Sequence, residues 1–367
     1  MSLRRRAAGL LTAAALLLSL TTSPAHALTP AEAADARALA TVRALTPEMD
    51  ADIAYFRSIN WGFDEPSYDP AVCVPGAREL WLDERMKTAW SDDEIEFTVR
   101  TQVVGIAAAE ASMTGAPDAP VFGRRGEYTK RMLKTDRVLD KLWKVGDYRL
   151  APVHSRTVLD ARRTAPVLQV LFPDRDAAWA RKMAAAIAEY ADRPAFEYGN
   201  DPAFSFGAWT MGPVTGEERV IVMGDGIIDG YTRLGHGAIA VETILAHERW
   251  HAVAMDTGLI TTDDLHNLTP RSNTIIELEA DAASAYALGA KKGLSLNHHR
   301  FDDDAFGAGG GCHADQNNFH GTSAQRAAAG QWGYDLSRSL KPKGKALTPT
   351  QFRSRYTAEV PRLLAVR

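Results

Sequence analysis

The sequence predicts a predominantly helical α+β protein. Three observations carry that expectation. From Thr29 to about Asp192 the chain is dense in Ala, Leu, Arg and Glu, all strong helix formers. Four Thr-Pro pairs (Thr29-Pro30, Thr46-Pro47, Thr269-Pro270 and Thr348-Pro349) each set a capping hydroxyl ahead of a proline suited to the first helical position. Strand-like stretches are short and lie mainly past residue 200, at 204–211 and 219–223, around the turn-like residues 212–218.

Taken in order, the chain opens with a positive segment (Arg4, Arg5, Arg6), an apolar run from Ala7 to Leu20 and the small-residue stop Ala25-His26-Ala27. That order is the signature of a secretory signal peptide over residues 1–27, and its apolar run falls short of the roughly 20 residues a membrane span needs. The position after the cut is Leu28, not Cys, so no lipid anchor is indicated, and the mature protein is expected to be secreted. Residues 28–195 form a helical N-terminal region, with a capping box at Ser91 and Glu94 and a loop rich in Pro, Asp and Gly at 61–76. Within it, 165–172 is the best candidate strand. A compositional shift near residue 195 begins a second region, 196–367. Sequence pattern leaves open whether the first region is a propeptide, a wrap around the second or a separate domain. Two helices follow the short strands, at about 238–255 and 270–288. An acidic run (Asp302, Asp303, Asp304), a glycine loop at 307–311 and a final helical pair end the chain, with Thr322 and Gln325 as a further capping box.

Composition removes several functions. The 367 residues are 46% hydrophobic and 24% charged with a net charge of −4, which gives no basic footprint for nucleic acid and no sign of disorder. Two cysteines are too few for a disulfide scaffold or a four-thiolate metal site. In an oxidising compartment Cys73 and Cys312 are expected to pair with each other, the alternative being Cys73 as a thiolate latch on zinc in a latent form.

The chemistry concentrates in His247-Glu248-Arg249-Trp250-His251. Four residues turn a helix through about 400°, so His247 and His251 share one face and can converge on one ion. Glu248 stands about 100° aside, where a general base would act on water. Ile239, Val241, Ile244, Leu245, Val253 and Met255 make the helix a buried one. Twenty-six residues beyond His251 comes Glu277-Leu278-Glu279-Ala280-Asp281. A catalytic zinc takes three protein ligands and keeps one open position, and its histidines usually donate their second nitrogen to a carboxylate. Glu277 as ligand and Asp281 as orienter, most simply of His247, meet both needs from one helical face. Glu279 lies about 200° round the helix from Glu277, and its own i+4 position, Ala283, can orient nothing.

His-Glu-x-x-His followed by Glu-x-x-x-Asp resembles the gluzincin metallopeptidases. The segment from His320 to Arg326 (His-Gly-Thr-Ser-Ala-Gln-Arg), with Gly333-Tyr334 downstream, is similar to part of the bacterial neutral zinc metallopeptidases. The likeness covers about residues 200–340. It implies a zincin-like catalytic domain with a small sheet over 196–367, one catalytic Zn2+ on His247, His251 and Glu277, Glu248 as general base and Asp281 behind the ligands. His320 is the candidate oxyanion donor, with Tyr286 and Arg326 behind it. The strand at 219–223 is the expected edge for an extended peptide or protein substrate. Two other functions compete: a non-catalytic secreted binding protein with zinc on a peptidase scaffold, and a zinc amidase acting on cell-wall peptides. The run Asp302 to Asp304 is a candidate for Ca2+, but it lacks the spacing of a known loop and reads better as a solvated face. His298, His299 and His313 read as exposed loop histidines, and the eight tryptophans as core.

Overall fold

The computed structural model describes residues 29–58, 73–114, 117, 119–144, 146, 148–211, 219–296, 303–312, 319–340 and 346–366. The expected signal peptide, His298, His299, Asp302 and His313 lie outside them.

The first helices are α1 (Pro30–Leu45), α2 (Asp50–Ser58), α3 (Ala77–Ala89), α4 (Asp92–Thr101), α5 (Val103–Thr114) and α6 (Thr129–Leu142). Strand β1 (Tyr148–Val153) precedes α7 (Ala161–Leu171) and α8 (Ala177–Ala191). Next come β2 (Ala208–Met211), β3 (Arg219–Gly224), α9 (Asp225–Arg233) and α10 (Ala240–Asp256). The chain ends with α11 (Thr262–His266), α12 (Pro270–Gly289), α13 (Asp303–Gly307), α14 (Ser323–Leu340) and α15 (Pro349–Leu364). The expected class, helical with a small mixed sheet, is what the chain adopts.

Capping chemistry explains many of the helix starts. Thr29, Thr269 and Thr348 accept from backbone amides inside the helices they open, and Ser91 and Thr322 close their boxes with Glu94 and Gln325. Thr46 does not cap; its hydroxyl donates back to the Val42 carbonyl, and Pro47 opens only a short 3-10 turn.

The segment expected to be a strand, 165–172, lies almost wholly in α7. Asp160 caps that helix by accepting from Arg162 N–H, and Thr164, Val167 and Leu168 are buried at helical spacing. The apolar run imitates a strand, but its burial follows a period of 3.6. The other expected strand, 204–211, begins in a 3-10 turn (Pro202–Ser205) and is extended only from Ala208. Strand β1 gave no signal, because Pro152 sits inside it and argues against a central strand.

The sheet order is β1-β3-β2. β1 runs parallel to β3, from Tyr148 opposite Arg219 to Val153 opposite Gly224, and β2 is antiparallel, from Ala208 opposite Met223 to Met211 opposite Val220. Strand β3 is therefore central, which corrects its expected place at the edge; among the described residues β1 and β2 are the two edges. Alternation along β3 divides the sheet's two faces. Ile221 and Met223 join the core built with α6, α10 and α12, whereas Val222 packs with Ala107 and Ala111 of α5. A separate core joins α1, α4, α7 and α8 around Phe97, Tyr190 and Phe196.

Helices α12 and α14 lie very close. A Cβ on Gly333 would stand 1.9 Å from the Ala282 carbonyl oxygen, so only glycine permits this approach. Cys73 and Cys312 form the expected disulfide, with Cα atoms 5.7 Å apart and a sequence separation of 239. Beside it, residues 76–78 pair with 308–310: Gly76 N–H donates to Gly310 O at 2.7 Å and Arg78 N–H to Ala308 O at 3.0 Å.

Candidate metal centre

Helix α10 is buried nearly all round. His247, Glu248, Arg249, Trp250 and His251 are all buried in it. Trp250 packs edge-on to Trp143 and Phe352, and Arg249 pairs with Asp136 and Asp140 from α6 at 2.9 and 2.8 Å. These two residues point away from the histidines and fix the rotation of the helix about its axis. His247, His251 and Glu248 are thereby aimed at a cavity of about 380 Å³, which Glu277 and Asp281 of α12 also line.

Donor atoms of His247, His251 and Glu277 lie within 4.8 Å of one another. The Nε2 atoms of the two histidines are 3.1 Å apart, and Glu277 carboxylate oxygens stand 3.2 Å from His247 Nε2 and 3.5 Å from His251 Nε2. Ligands about 2.0–2.1 Å from a tetrahedral zinc would be roughly 3.3 Å apart, so these separations fit one ion. Asp281 Oδ1 accepts from His247 Nδ1 at 2.9 Å, so Nε2 is the atom of His247 that faces Glu277. A buried carboxylate this close to an imidazole nitrogen needs a cation between them, either a proton on Nε2 or a metal ion in its place. Burial alone would keep His247 neutral, but hydrogen bonds to Asp281 and Glu277 outweigh it and raise its pKa to about 10. Burial lowers His251 to about 4, against the pull of Glu277, so its imidazole is neutral and ready to ligate. Burial would raise the Glu277 carboxyl, yet the surrounding histidines hold it well below the usual range and ionised.

Asp281 is itself held from behind. Arg326 of α14 donates to both its oxygens, at 2.7 and 2.8 Å, and to the Gly309 carbonyl at 3.0 Å. Arg326 is thus committed, not free to meet a substrate. Tyr286 is also removed from candidacy: its ring stacks on Trp143 in the core and its hydroxyl accepts from Leu347 N–H. His320 does line the cavity, half-exposed, with Nε2 3.9 Å from Glu277 Oε1. Glu279 faces away from the cluster and pairs with Arg353 of α15. Asp303 and Asp304 fall in the short helix α13.

Burial is the main cause that pushes Glu248 up to about 7, with His247 opposing. Its backbone and side chain both touch the sheet edge: the Thr210 hydroxyl of β2 is 2.6 Å from the Glu248 carbonyl oxygen and 3.1 Å from its carboxylate. Sequence reasoning missed Thr210, as well as Tyr231 of α9 and Arg78 of α3, which line the same cavity. No local pattern marks them, because tertiary packing alone brings those elements to α10.

No family model matches the chain, and neither a curated protein nor a solved structure matches it. Among the described residues no helix is long and apolar enough to cross a membrane.

Proposed function

We propose that the protein is a secreted zinc-dependent metallopeptidase hydrolysing peptide bonds in a peptide or protein substrate. The observation that carries this reading is the convergence of two imidazoles and one carboxylate, with Asp281 orienting His247 and Glu248 beside them. Two nitrogens and one oxygen are a donor set suited to catalytic zinc. When bound, zinc would supply Lewis-acid polarisation of the scissile carbonyl and acidify water.

The remaining steps belong to the chain. Glu248, with its pKa near 7, takes a proton from the attacking water as the new C–O bond forms. It returns that proton to the amide nitrogen as the C–N bond breaks, so the amine leaves neutral. His320 offers an imidazole N–H to the developing oxyanion from the cavity wall. The edge of β2, which no strand pairs among the described residues, can pair with an extended peptide, and Thr210 couples that edge to Glu248. Secretion is supported by the N-terminal sequence and is compatible with the disulfide.

The test uses mature protein, metal analysis and a peptide-library cleavage assay. Wild type should carry about one zinc per chain, and His251→Ala should abolish binding. Glu248→Gln should keep the metal while turnover falls about 10²- to 10⁴-fold. Zinc-free protein with undiminished cleavage, or Glu248→Gln with wild-type turnover, refutes the proposal.

A further inference from the structure

The cavity over the metal cluster is lined by two guanidinium groups that differ in their partners. Arg326 is neutralised by Asp281, through two hydrogen bonds. Arg78, half-buried in the first turn of α3, has no carboxylate or carbonyl accepting from its guanidinium among the described residues. The two cations meet over Gly309: a Cβ there would stand 3.1 Å from Arg326 Nη1 and 3.5 Å from Arg78 Nη1. Partial burial of a cation with no carboxylate or carbonyl partner among the described residues is costly, and an incoming anion relieves that cost.

The backbone beneath Arg78 is also held unusually firmly. Its own amide and that of Gly76 are committed to the carbonyls of Ala308 and Gly310, and the Cys73–Cys312 bond ties the same two segments together. The group left to meet a ligand here is thus the Arg78 side chain, the Gly76 and Arg78 amides being taken. Beside its polar groups the same cavity has an apolar part to its wall, with Phe206, Ile244, Met255, Ile260 and Phe306 in it.

We propose that Arg78 binds a carboxylate of the substrate, so that the site selects peptides carrying a negative charge next to an apolar segment. The carboxylate is either the peptide's C-terminus or an Asp or Glu side chain. This inference rests on the reading of the cavity as a peptide site, and its test is arranged to fail separately from that reading.

Binding is measured by calorimetry on full-length mature protein carrying Glu248→Gln, so that no peptide is consumed. The probes are three N-acetylated pentapeptides of Ala and Leu: one with a free C-terminal carboxylate, one amidated, and one amidated with a single Glu. At least one charged peptide should bind about tenfold more tightly than the neutral amide, the value of one charge-assisted pair. Whichever charged peptide it is identifies the source of the carboxylate. Adding Arg78→Gln should erase the preference without weakening the neutral peptide, and Arg78→Lys should restore part of it, with thermal melting confirming that both variants fold. Equal affinity for all three peptides, no binding of either charged peptide, or a preference that survives Arg78→Gln overturns the inference. Arg78-dependent binding of a peptide that wild type never cleaves would sink the peptidase reading and leave this one standing.

Discussion

Asp281 serves two partners at once, and that double duty sets its expected phenotype. One oxygen accepts from His247 while Arg326 donates to both, all in a buried setting. Asp281→Asn should weaken zinc binding roughly 10- to 100-fold, as loss of a ligand's orienting partner does. It should also strip a buried Arg326 of its counter-charge, at a cost of about 3–5 kcal/mol. Chelator competition and denaturant melts measure the two effects, and a variant as stable as wild type would contradict the pairing. His320→Ala differs in kind: it should leave zinc content unchanged and lower kcat about 10²- to 10³-fold, the usual loss of an oxyanion donor. At this scale the sequence is most legible. The spacing of His247, His251, Glu277 and Asp281 is a local helical property, and the same geometry turns Glu279 away. That Glu279 meets Arg353, or that Thr210 touches Glu248, depends on contacts between distant segments and left no trace in the pattern.

Helix pairs decide how well those residues are held. Because Gly333 lets α14 approach α12, Gly333→Ala should force the two apart and cost about 3 kcal/mol by overpacking. Arg326 would be drawn from Asp281 with it, so zinc affinity should fall too; unchanged affinity in a destabilised variant would separate the two roles. In the other core, Glu96 of α4 is gripped by Arg43 of α1 and Arg100 of its own helix, at 2.8 and 2.7 Å. Burial would raise its pKa, but those guanidinium groups prevail and lower it from 4.5 to about 2. The sign follows from that depression: the interaction stabilises fully above about pH 4.5 and is lost as pH falls towards 2. Glu96→Gln should therefore flatten the loss of stability between those pH values, as followed by melting curves, while a parallel downward shift of the whole profile would argue against it. Helices were readable through their caps, such as Thr269 and Ser91. Strands were less so: β1 hides behind Pro152, and which strand lies at the edge is a matter of long-range order that no run of side chains encodes.

Across the molecule, α10 and α12 reach the metal cluster through one continuous core, so metal loading and folding should be linked. Chelation should lower Tm, with about 4 kcal/mol lost if zinc is present at a thousand times its dissociation constant. A melt that ignores chelator would mean that the cluster binds no ion in the native state. The Cys73–Cys312 bond acts at this same scale. Closing so long a loop stabilises by roughly 4–5 kcal/mol in the chain-entropy view. It also governs what a protease nick can release. A single cut anywhere between residues 73 and 312, including one near residue 195, yields two pieces still joined through sulfur. Shedding the helical first half at that point would take a reductant as well as a blade. Only a stretch ahead of Cys73 or beyond Cys312 can depart after one cleavage, and a sample nicked between the two would migrate as a single band until thiol is added.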